Sequence, residues 1–196
     1  DVFMLNTPYN GGTHLPDVTV ITPVFDPAGD NILFYVASRG HHAEIGGATP
    51  GSVPPNSTHI DEEGVLIDNF QLVAGGRLLE EETETLFTSA PFPTRNFRHN
   101  LSDLKAQIAG NEKGVQELRK MIEHFGLDVV HAYMMHVQDN AEECVRRVLG
   151  VLTDGSFEYE MDSGAKICVA ISVDREKREA VIDFTGTSQQ QVSNFN

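Results

Sequence analysis

The hydrophobic pattern changes its period twice along the chain, and this change limits the possible folds more than any other feature. Residues 1–100 carry short runs of β-branched and aromatic residues, separated by long loops rich in Gly and Pro. In residues 101–151 the apolar residues recur at helical spacing. Residues 152–196 return to β-type runs. The pattern predicts a mixed α+β fold without internal repeats, in which a long helical hairpin follows a β-rich N-terminal part and precedes a further β-rich segment.

Two apolar runs near the N-terminus predict a β-hairpin. They occupy residues 18–21 and 32–36, and the segment 26–31 between them has the sequence Asp-Pro-Ala-Gly-Asp-Asn, which favours a turn. In such a hairpin the start of the first strand lies beside the end of the second. A further strand pair is predicted at 64–67 and 70–73, and three more strands after residue 156.

The central segment is predicted to form two helices. Asn100 or Ser102 is the expected N-cap of the first helix, and Gly126 is its expected end. The second helix is expected to stop at Gly150. Cys144 falls on the apolar face of this second helix, so a buried small hydrophobic residue is a better interpretation of this thiol than a nucleophile.

Charge and composition exclude several classes of partner. The chain has 14 Lys and Arg against 29 Asp and Glu, a formal net charge of −15, and it contains no basic run. We therefore expect no nucleic-acid partner. No apolar run approaches the roughly 18 residues of a membrane span, and no signal peptide is visible, so no membrane partner is expected. Two distant cysteines indicate reduced thiols and a cytoplasmic location.

The two ends of the chain suggest that it continues beyond the given sequence. It starts at Asp1 without an initiator Met, and it stops at Asn196, shortly after an apolar run, with no closing helix. We therefore expect residues 1–196 to be an internal fragment of a larger polypeptide. The absence of a motif from this fragment is weak evidence about the parent protein.

The densest group of chemically active side chains lies at the open end of the predicted hairpin. His14 and Asp17 precede the first strand in a glycine-rich loop, and His41, His42 and Glu44 follow the second. A hairpin would bring His14 and Asp17 together with His41 or His42. Two imidazoles and one carboxylate are a common ligand set for Zn, Mn or Fe. Three interpretations stay open: a metal site, a hydrogen-bonded loop network, and a general base that acts without metal.

Several longer motifs occur in order over nearly the whole chain. They are GGTHLPDVTVITPVF (11–25), FYVASRGHHAEIGGATPGSVPP (34–55), EEGVLIDNF (62–70), NLSDLKAQIAGNEKG (100–114), HVQDNAEE (136–143) and IDFTGTS (182–188). Together they closely resemble the hydantoinase B/5-oxoprolinase family. Members of this family are usually much longer than this chain.

The resemblance implies ATP-dependent hydrolytic opening of a cyclic amide. In 5-oxoprolinase the substrate is 5-oxo-L-proline and the product is L-glutamate, a reaction of glutathione metabolism. A hydantoinase A-type subunit or domain would bind ATP and phosphorylate the amide oxygen, and this chain, which has no P-loop motif, would carry the hydrolytic half. We expect an oligomeric enzyme that acts on a small-molecule cyclic amide.

The resemblance also implies roles for single residues. His14, Asp17 and His41 match the metal ligands of related ketone carboxylases, namely an H-x-x-D motif and the first His after the following strand. His42 and Glu44 are implied to support these ligands or to transfer protons. The catalytic candidates are therefore His41, His42 and Glu44, and the metal candidates are His14, Asp17 and His41.

Two departures from the family pattern and two rival functions remain. Thr7 stands where the family often has Asp, and Glu44 stands where it usually has Asp, which lengthens the reach of that carboxylate. One rival function is an ATP-dependent ketone carboxylase that uses the same loop. The other is a non-catalytic module in which the helical hairpin docks the partner and the Gly/His loop merely folds.

Overall fold

The structure is a computed structural model, and it describes residues 1–192. Residues 193–196, the end of the predicted segment 152–196, lie outside the described residues. The described chain forms two compact units, residues 1–120 and 121–192. Helices and antiparallel sheets are both present, so the predicted mixed α+β class is confirmed.

The first unit is built on a five-stranded sheet with the order β3-β2-β1-β4-β5. All of its neighbouring strands are antiparallel. The strands are β1 (Val2–Leu5), β2 (Asp17–Phe25), β3 (Ile32–His41), β4 (Phe70–Ala74) and β5 (Arg77–Leu78). The predicted hairpin of β2 and β3 is confirmed, and the Asp26 carboxylate fixes its turn by accepting bonds from the Gly29 and Asp30 N–H groups.

Two α-helices complete this unit, α1 (Glu80–Thr88) and α2 (Phe97–Phe125), whose last residues already belong to the second unit. Two short 3-10 turns, Pro8–Asn10 and Ile60–Glu62, lie in its loops. The core joins the inward face of the sheet to apolar residues of both helices. It includes Met4, Leu15, Val18, Val20, Ile45, Val65, Ile67, Leu72, Phe87 and Leu104. Burial of this apolar surface is the main stabilising contribution to the unit.

One predicted strand pair is wrong. Residues 64–67 form no strand, and β4 pairs with β1 and β5 instead. The segment 64–67 is largely buried, but its backbone bonds irregular partners: the Val65 N–H donates to the Ile45 carbonyl at 2.9 Å. A short apolar run shows that a segment is suited to burial, whereas pairing depends on which neighbour its backbone reaches.

The predicted N-cap of α2 is also wrong, because the helix begins at Phe97. Asn96 precedes it and accepts a bond from the His99 N–H at 3.3 Å through its side chain. Asn100 lies inside the helix and is buried, and the Ser102 hydroxyl donates to the Arg98 carbonyl at 2.9 Å. The polar residues at 100 and 102 therefore serve contacts other than a cap.

The second unit contains α3 (Leu127–Leu149) and a three-stranded antiparallel sheet, β6 (Gly155–Glu160), β7 (Lys166–Asp174) and β8 (Glu179–Asp183). The three strands predicted after residue 156 are confirmed. Gly126 alone separates α2 from α3 at a φ of 85°, and Gly150 follows the last residue of α3, so both predicted helix ends are confirmed. The packing of the two helices as a hairpin stays a prediction.

The predicted burial of Cys144 is wrong. Its side chain is exposed, and Val148 on the same face of α3 is 53% exposed. A helical apolar pattern shows that a face is suited to burial, but burial itself needs a surface that packs on it. Cys144 and Cys168 are both free thiols. Within residues 1–192, no helix is both long enough and apolar enough to cross a bilayer.

Candidate functional site

The open end of the β2–β3 hairpin brings one carboxylate and one imidazole together. Asp17 is the first residue of β2, His41 is the last residue of β3, and the two are cross-strand partners. The His41 Nδ1 atom lies 2.8 Å from the Asp17 Oδ1 atom, and the His41 side chain is 61% exposed. With Nδ1–H donating to the carboxylate, the Nε2 lone pair of His41 is free to take a proton or a ligand.

His14 joins this pair from the loop before β2. Its ring stacks on the ring of His41, with centroids 5.6 Å apart and planes inclined by 24°. The loop turns back at this point because the Asp17 N–H donates to the His14 carbonyl at 2.9 Å. The structure therefore brings His14, Asp17 and His41 together at the place where the hairpin geometry predicts them.

A buried asparagine holds the loop that carries His14. The Asn6 side-chain amide donates to the Leu15 carbonyl at 2.9 Å and to the Val65 carbonyl at 2.8 Å, and its oxygen accepts from the Ile67 N–H at 2.7 Å. Gly12 packs against the same backbone, because a Cβ atom there would lie 2.0 Å from the Asn6 carbonyl oxygen. No sequence pattern indicates this role of Asn6, since its partners are remote in the chain.

Arg39 is a second residue that the sequence analysis did not single out. Its Nε donates to the Thr19 hydroxyl at 2.9 Å, its Nη1 to the Thr13 hydroxyl at 3.2 Å and its Nη2 to the Gly11 carbonyl at 3.5 Å. Arg39 is the cross-strand partner of Thr19, and this pair lies on the same face of the hairpin as Asp17 and His41. A guanidinium group therefore belongs to the neighbourhood of the imidazole pair.

His42 points away from this group, although it follows His41 directly. Its side chain is buried, with 1% of the residue exposed. Its Nδ1 accepts from the Asn100 amide at 3.2 Å, and its Nε2 lies 3.2 Å from the Gln107 side-chain oxygen, to which it donates. Burial lowers the pKa of His42, and the hydrogen bond to Gln107 offsets this only in part.

Helix α2 fixes both partners of His42. Asn100 also donates to the Glu44 carbonyl at 2.7 Å, and Gln107 donates to the Val18 carbonyl at 2.9 Å. Further along α2, the buried Asn111 donates to the Val20 carbonyl at 3.0 Å. Side-chain amides of α2 thus bond the backbone of the β2–β3 hairpin. Of the two histidines that the hairpin spacing left as alternatives, His41, which the family resemblance also implies, joins His14 and Asp17, and His42 contacts the helix.

Glu44 is engaged in a separate set of hydrogen bonds. Its carboxylate accepts from the Thr94 hydroxyl, from the Arg95 N–H at 2.8 Å and guanidinium at 3.0 Å, and from the Gly46 N–H at 3.0 Å. Partial burial would raise the pKa of Glu44, but these hydrogen bonds outweigh it and hold the pKa below its ordinary value. None of these hydrogen bonds reaches His14, Asp17 or His41, so the structure does not bring Glu44 into their group.

The donors at the hairpin end match a divalent metal in type. Two imidazoles and a carboxylate suit Zn, Mn or Fe, and the His41 side chain contacts both the His14 ring and the Asp17 carboxylate. Across residues 1–192, however, no three His, Cys, Asp or Glu side chains are placed so that they could hold an ion together. Asp17 bonds His41 instead, in the manner of a carboxylate that orients a histidine ligand.

Comparison with known proteins decides the family. The family model described as hydantoinase B/oxoprolinase matches residues 1–196. The chain belongs to this family. It is 46% identical over 206 residues to a 5-oxoprolinase from Dictyostelium discoideum, and 42% identical over 208 residues to a 5-oxoprolinase from Saccharomyces cerevisiae. Each match covers 100% of this chain and 16% of the relative, so the chain spans about a sixth of their length.

Solved structures share the fold of this hydantoinase B chain. An ATP-dependent caprolactamase from Pseudomonas jessenii matches with a TM-score of 0.72 at 26% identity, over 93% of this chain and 31% of that one. A nucleotide-free acetone carboxylase matches with a TM-score of 0.80 at 17% identity, over 100% of this chain and 28% of that one. At 17% identity the second likeness concerns the fold alone.

Proposed function

We propose that this chain carries the hydrolytic half of an ATP-dependent cyclic-amide hydrolase that converts 5-oxo-L-proline into L-glutamate. One observation carries the proposal: His14, Asp17 and His41 meet at the end of a hairpin in a chain that is 46% identical to a 5-oxoprolinase. Because the chain spans only 16% of that relative, the ATP site belongs to a hydantoinase A-type subunit or domain in this proposal.

In this proposal His14, Asp17 and His41 hold a divalent ion, Zn, Mn or Fe. Such an ion would supply hydroxide near neutral pH or polarise the carbon under attack. The donor types support this assignment, and Asp17 has a second task, because its bond to Nδ1 sets the orientation and tautomer of the His41 ring. The bond leaves Nε2 of the exposed His41 ring for a ligand or a substrate proton.

The remaining catalytic candidates have supporting roles in the proposal. His42 is buried with both ring nitrogens bonded, so it positions the end of β3 and thereby His41. Glu44 ties the segment after β3 to Thr94 and Arg95. An amide resists attack by water, and phosphorylation of its oxygen by the ATP-binding partner would make the amide carbon more electrophilic. One water would then add to that carbon at the His41 end of the hairpin, and the ring C–N bond would break as the nitrogen takes up a proton. A second water would release inorganic phosphate from the acyl phosphate that remains, which leaves the free carboxylate.

The metal content of the enzyme assembled with its ATP-binding partner tests this proposal. Elemental mass spectrometry is expected to find near-stoichiometric Zn, Mn or Fe in the wild type and none in His14→Ala or His41→Ala. His59→Ala, which changes an exposed histidine of a different loop, is the matched control and keeps the metal. A well-folded wild-type enzyme without metal would contradict the ligand assignment and leave His41 as a base without metal.

Turnover separates the hydrolase from the rival functions. We expect wild-type enzyme to release glutamate from 5-oxo-L-proline only with ATP and the partner, and His41→Ala to lose about a thousandfold or more in kcat. A non-catalytic docking module predicts that His41→Ala turns over normally. A ketone carboxylase predicts consumption of bicarbonate and a ketone, and the likeness to acetone carboxylase at 17% identity does not favour it.

A further inference from the structure

The hairpin end also carries a positive charge that the hydrolytic residues do not use. Arg39 is the only Lys or Arg among residues 1–76, a stretch that holds nine Asp and Glu residues. In a chain with a net charge of −15, a single exposed cation beside the imidazole pair is an exception to its surroundings. Arg39 therefore places a positive charge next to the imidazole pair in a chain whose net charge repels anions.

The charge of Arg39 is not neutralised by a carboxylate. Arg77 pairs with Glu82 at 3.9 Å and Arg95 pairs with Glu44 at 3.0 Å, whereas no ion pair links Arg39 to any carboxylate in the described part of the chain. Its three hydrogen bonds go to neutral oxygens, the Thr19 and Thr13 hydroxyls and the Gly11 carbonyl. Of the five N–H groups of a guanidinium, two therefore have no acceptor among residues 1–192.

The neutral contacts place the guanidinium without satisfying its charge. Thr19 on β2 and Thr13 in the His14 loop hold it from two sides, which reduces the freedom of a long side chain before any ligand binds. The cross-strand register puts Arg39 and Thr19 on the same face as Asp17 and His41. The guanidinium fork matches two oxygens of a carboxylate or a phosphoryl group.

We propose that Arg39 is the oxyanion-recognition residue of this site and holds an anionic oxygen pair of the substrate beside His41. The inference rests on the proposed function. Two sources of the oxyanion fit that function, the carboxylate of 5-oxo-L-proline and the phosphoryl group placed on its amide oxygen. The same guanidinium chemistry recognises both.

Binding and turnover by Arg39→Gln test the proposal in the enzyme assembled with its partner. Titration calorimetry without ATP uses 5-oxo-L-proline and inorganic phosphate as probes. We expect Arg39→Gln to weaken one of them about 10- to 100-fold, the loss typical of charge-assisted hydrogen bonds, and Arg39→Lys to weaken it less. Arg77→Gln, which removes an exposed arginine from β5, is the matched control and binds as the wild type does.

The two sources give different kinetics. If Arg39 binds the carboxylate, Arg39→Gln raises KM for 5-oxo-L-proline and leaves turnover of 2-pyrrolidinone, a lactam without a carboxylate, unchanged. If it binds the phosphoryl group, phosphate binding weakens and kcat falls for both lactams. Each of these results supports the proposal.

Other results overturn it. Binding of both probes by Arg39→Gln within about threefold of the wild type excludes a recognition role, as does a wild-type enzyme that binds neither probe. A loss in Thr13→Val as large as that in Arg39→Gln would show that Arg39 only ties the loop. If wild-type enzyme turns over neither lactam, the proposed function fails, and calorimetry still decides the role of Arg39.

Discussion

At the scale of single residues, two adjacent histidines of one motif have opposite environments. His41 faces solvent beside Asp17, and His42 is buried against α2 between Asn100 and Gln107. Successive residues of an extended segment point to opposite sides, so at the end of β3 the His41 side chain points to the solvent side and the His42 side chain points to α2. The two residues have the same chemical type, and their different environments come from the side of the strand that each one faces.

The burial of His42 predicts a pH dependence of stability. Its pKa lies below the ordinary value of 6.5 because of burial, so the unfolded state takes up a proton first as the pH falls. The stabilisation that depends on a neutral His42 is fully present above pH 6.5, the ordinary pKa of histidine, and is lost as the pH falls below it. We expect the urea midpoint to fall between about pH 7.5 and about pH 5, and His42→Gln to lose part of this slope. His59→Gln, which changes an exposed histidine that is not among the groups acting on His42, is the control, and an unchanged slope in His42→Gln would contradict the assignment.

The three hydrogen bonds of Asn6 predict a large cost of removing its side chain. Asn6→Ala leaves the Leu15 and Val65 carbonyls and the Ile67 N–H without that partner in a buried place. We expect a loss of about 3 kcal/mol in the free energy of unfolding, measured in urea. Asn10→Ala, which removes an exposed bond to Asp68, is expected to cost less than about 0.5 kcal/mol. Equal costs would show that the Asn6 bonds do not stabilise the loop.

At the scale of elements, helix α2 and the β2–β3 hairpin approach closely through small residues and side-chain amides. Gly40 on β3 lies against Gln107, since a Cβ atom there would be 3.1 Å from its side-chain carbon. Gly114 lies against Val36, where a Cβ atom would be 3.0 Å from Cγ1. The amides of Gln107 and Asn111 reach strand carbonyls across this short distance. The hairpin that carries the candidate site is thus held on a regular helix, which favours a fixed geometry of the site.

Two glycines of α2 give a matched test of this packing. Gly110 is exposed, and a Cβ atom placed there would meet no other atom within 4 Å, so Gly110→Ala is expected to stabilise the protein by about 1 kcal/mol through helix propensity. Gly114→Ala gains the same helix propensity, but its methyl group would lie too close to Val36. We therefore expect a net loss of about 1 kcal/mol in the free energy of unfolding. Urea unfolding measures both, and an equal gain in the two variants would show that α2 lies further from β3.

At the scale of the whole molecule, the apolar core is distributed unevenly. The buried hydrophobic residues of the described chain lie between Val2 and Val115, with Val130 as the one exception. In the unit of residues 121–192, Phe157 on β6 is 65% exposed, and its cross-strand partner Val169 lies on the same face of the sheet. A sheet with exposed apolar residues gains little from burial, so its hydrogen bonds open at low cost.

This asymmetry predicts a difference in amide exchange within the 196-residue chain. Hydrogen-exchange mass spectrometry is expected to show peptides from β1 to β4 exchanging at least about a hundredfold more slowly than peptides from β6 to β8. The urea-unfolded chain provides the reference for complete exchange. Equal protection in the two units would mean that the second sheet is stabilised by contacts other than apolar burial.

The amino-acid sequence by itself determined the fold class, the β2–β3 hairpin, the helix ends at Gly126 and Gly150, and the meeting of His14 and Asp17 with a histidine after β3. These features depend on local chemistry: hydrophobic period, turn residues and the antiparallel geometry that follows from a short turn. The motifs also led to the correct family, since long stretches of matching residues are specific.

Only the tertiary structure decided that His42 is buried against α2, where the segment 64–67 bonds, and that Cys144 is exposed. It also revealed the contacts of Asn6 and Arg39. Asn6 bonds partners up to 61 positions away in the chain, and Arg39 lies on the same face of the hairpin as Asp17 and His41. Such contacts leave no periodic signal, because they depend on which surfaces the folded chain brings together.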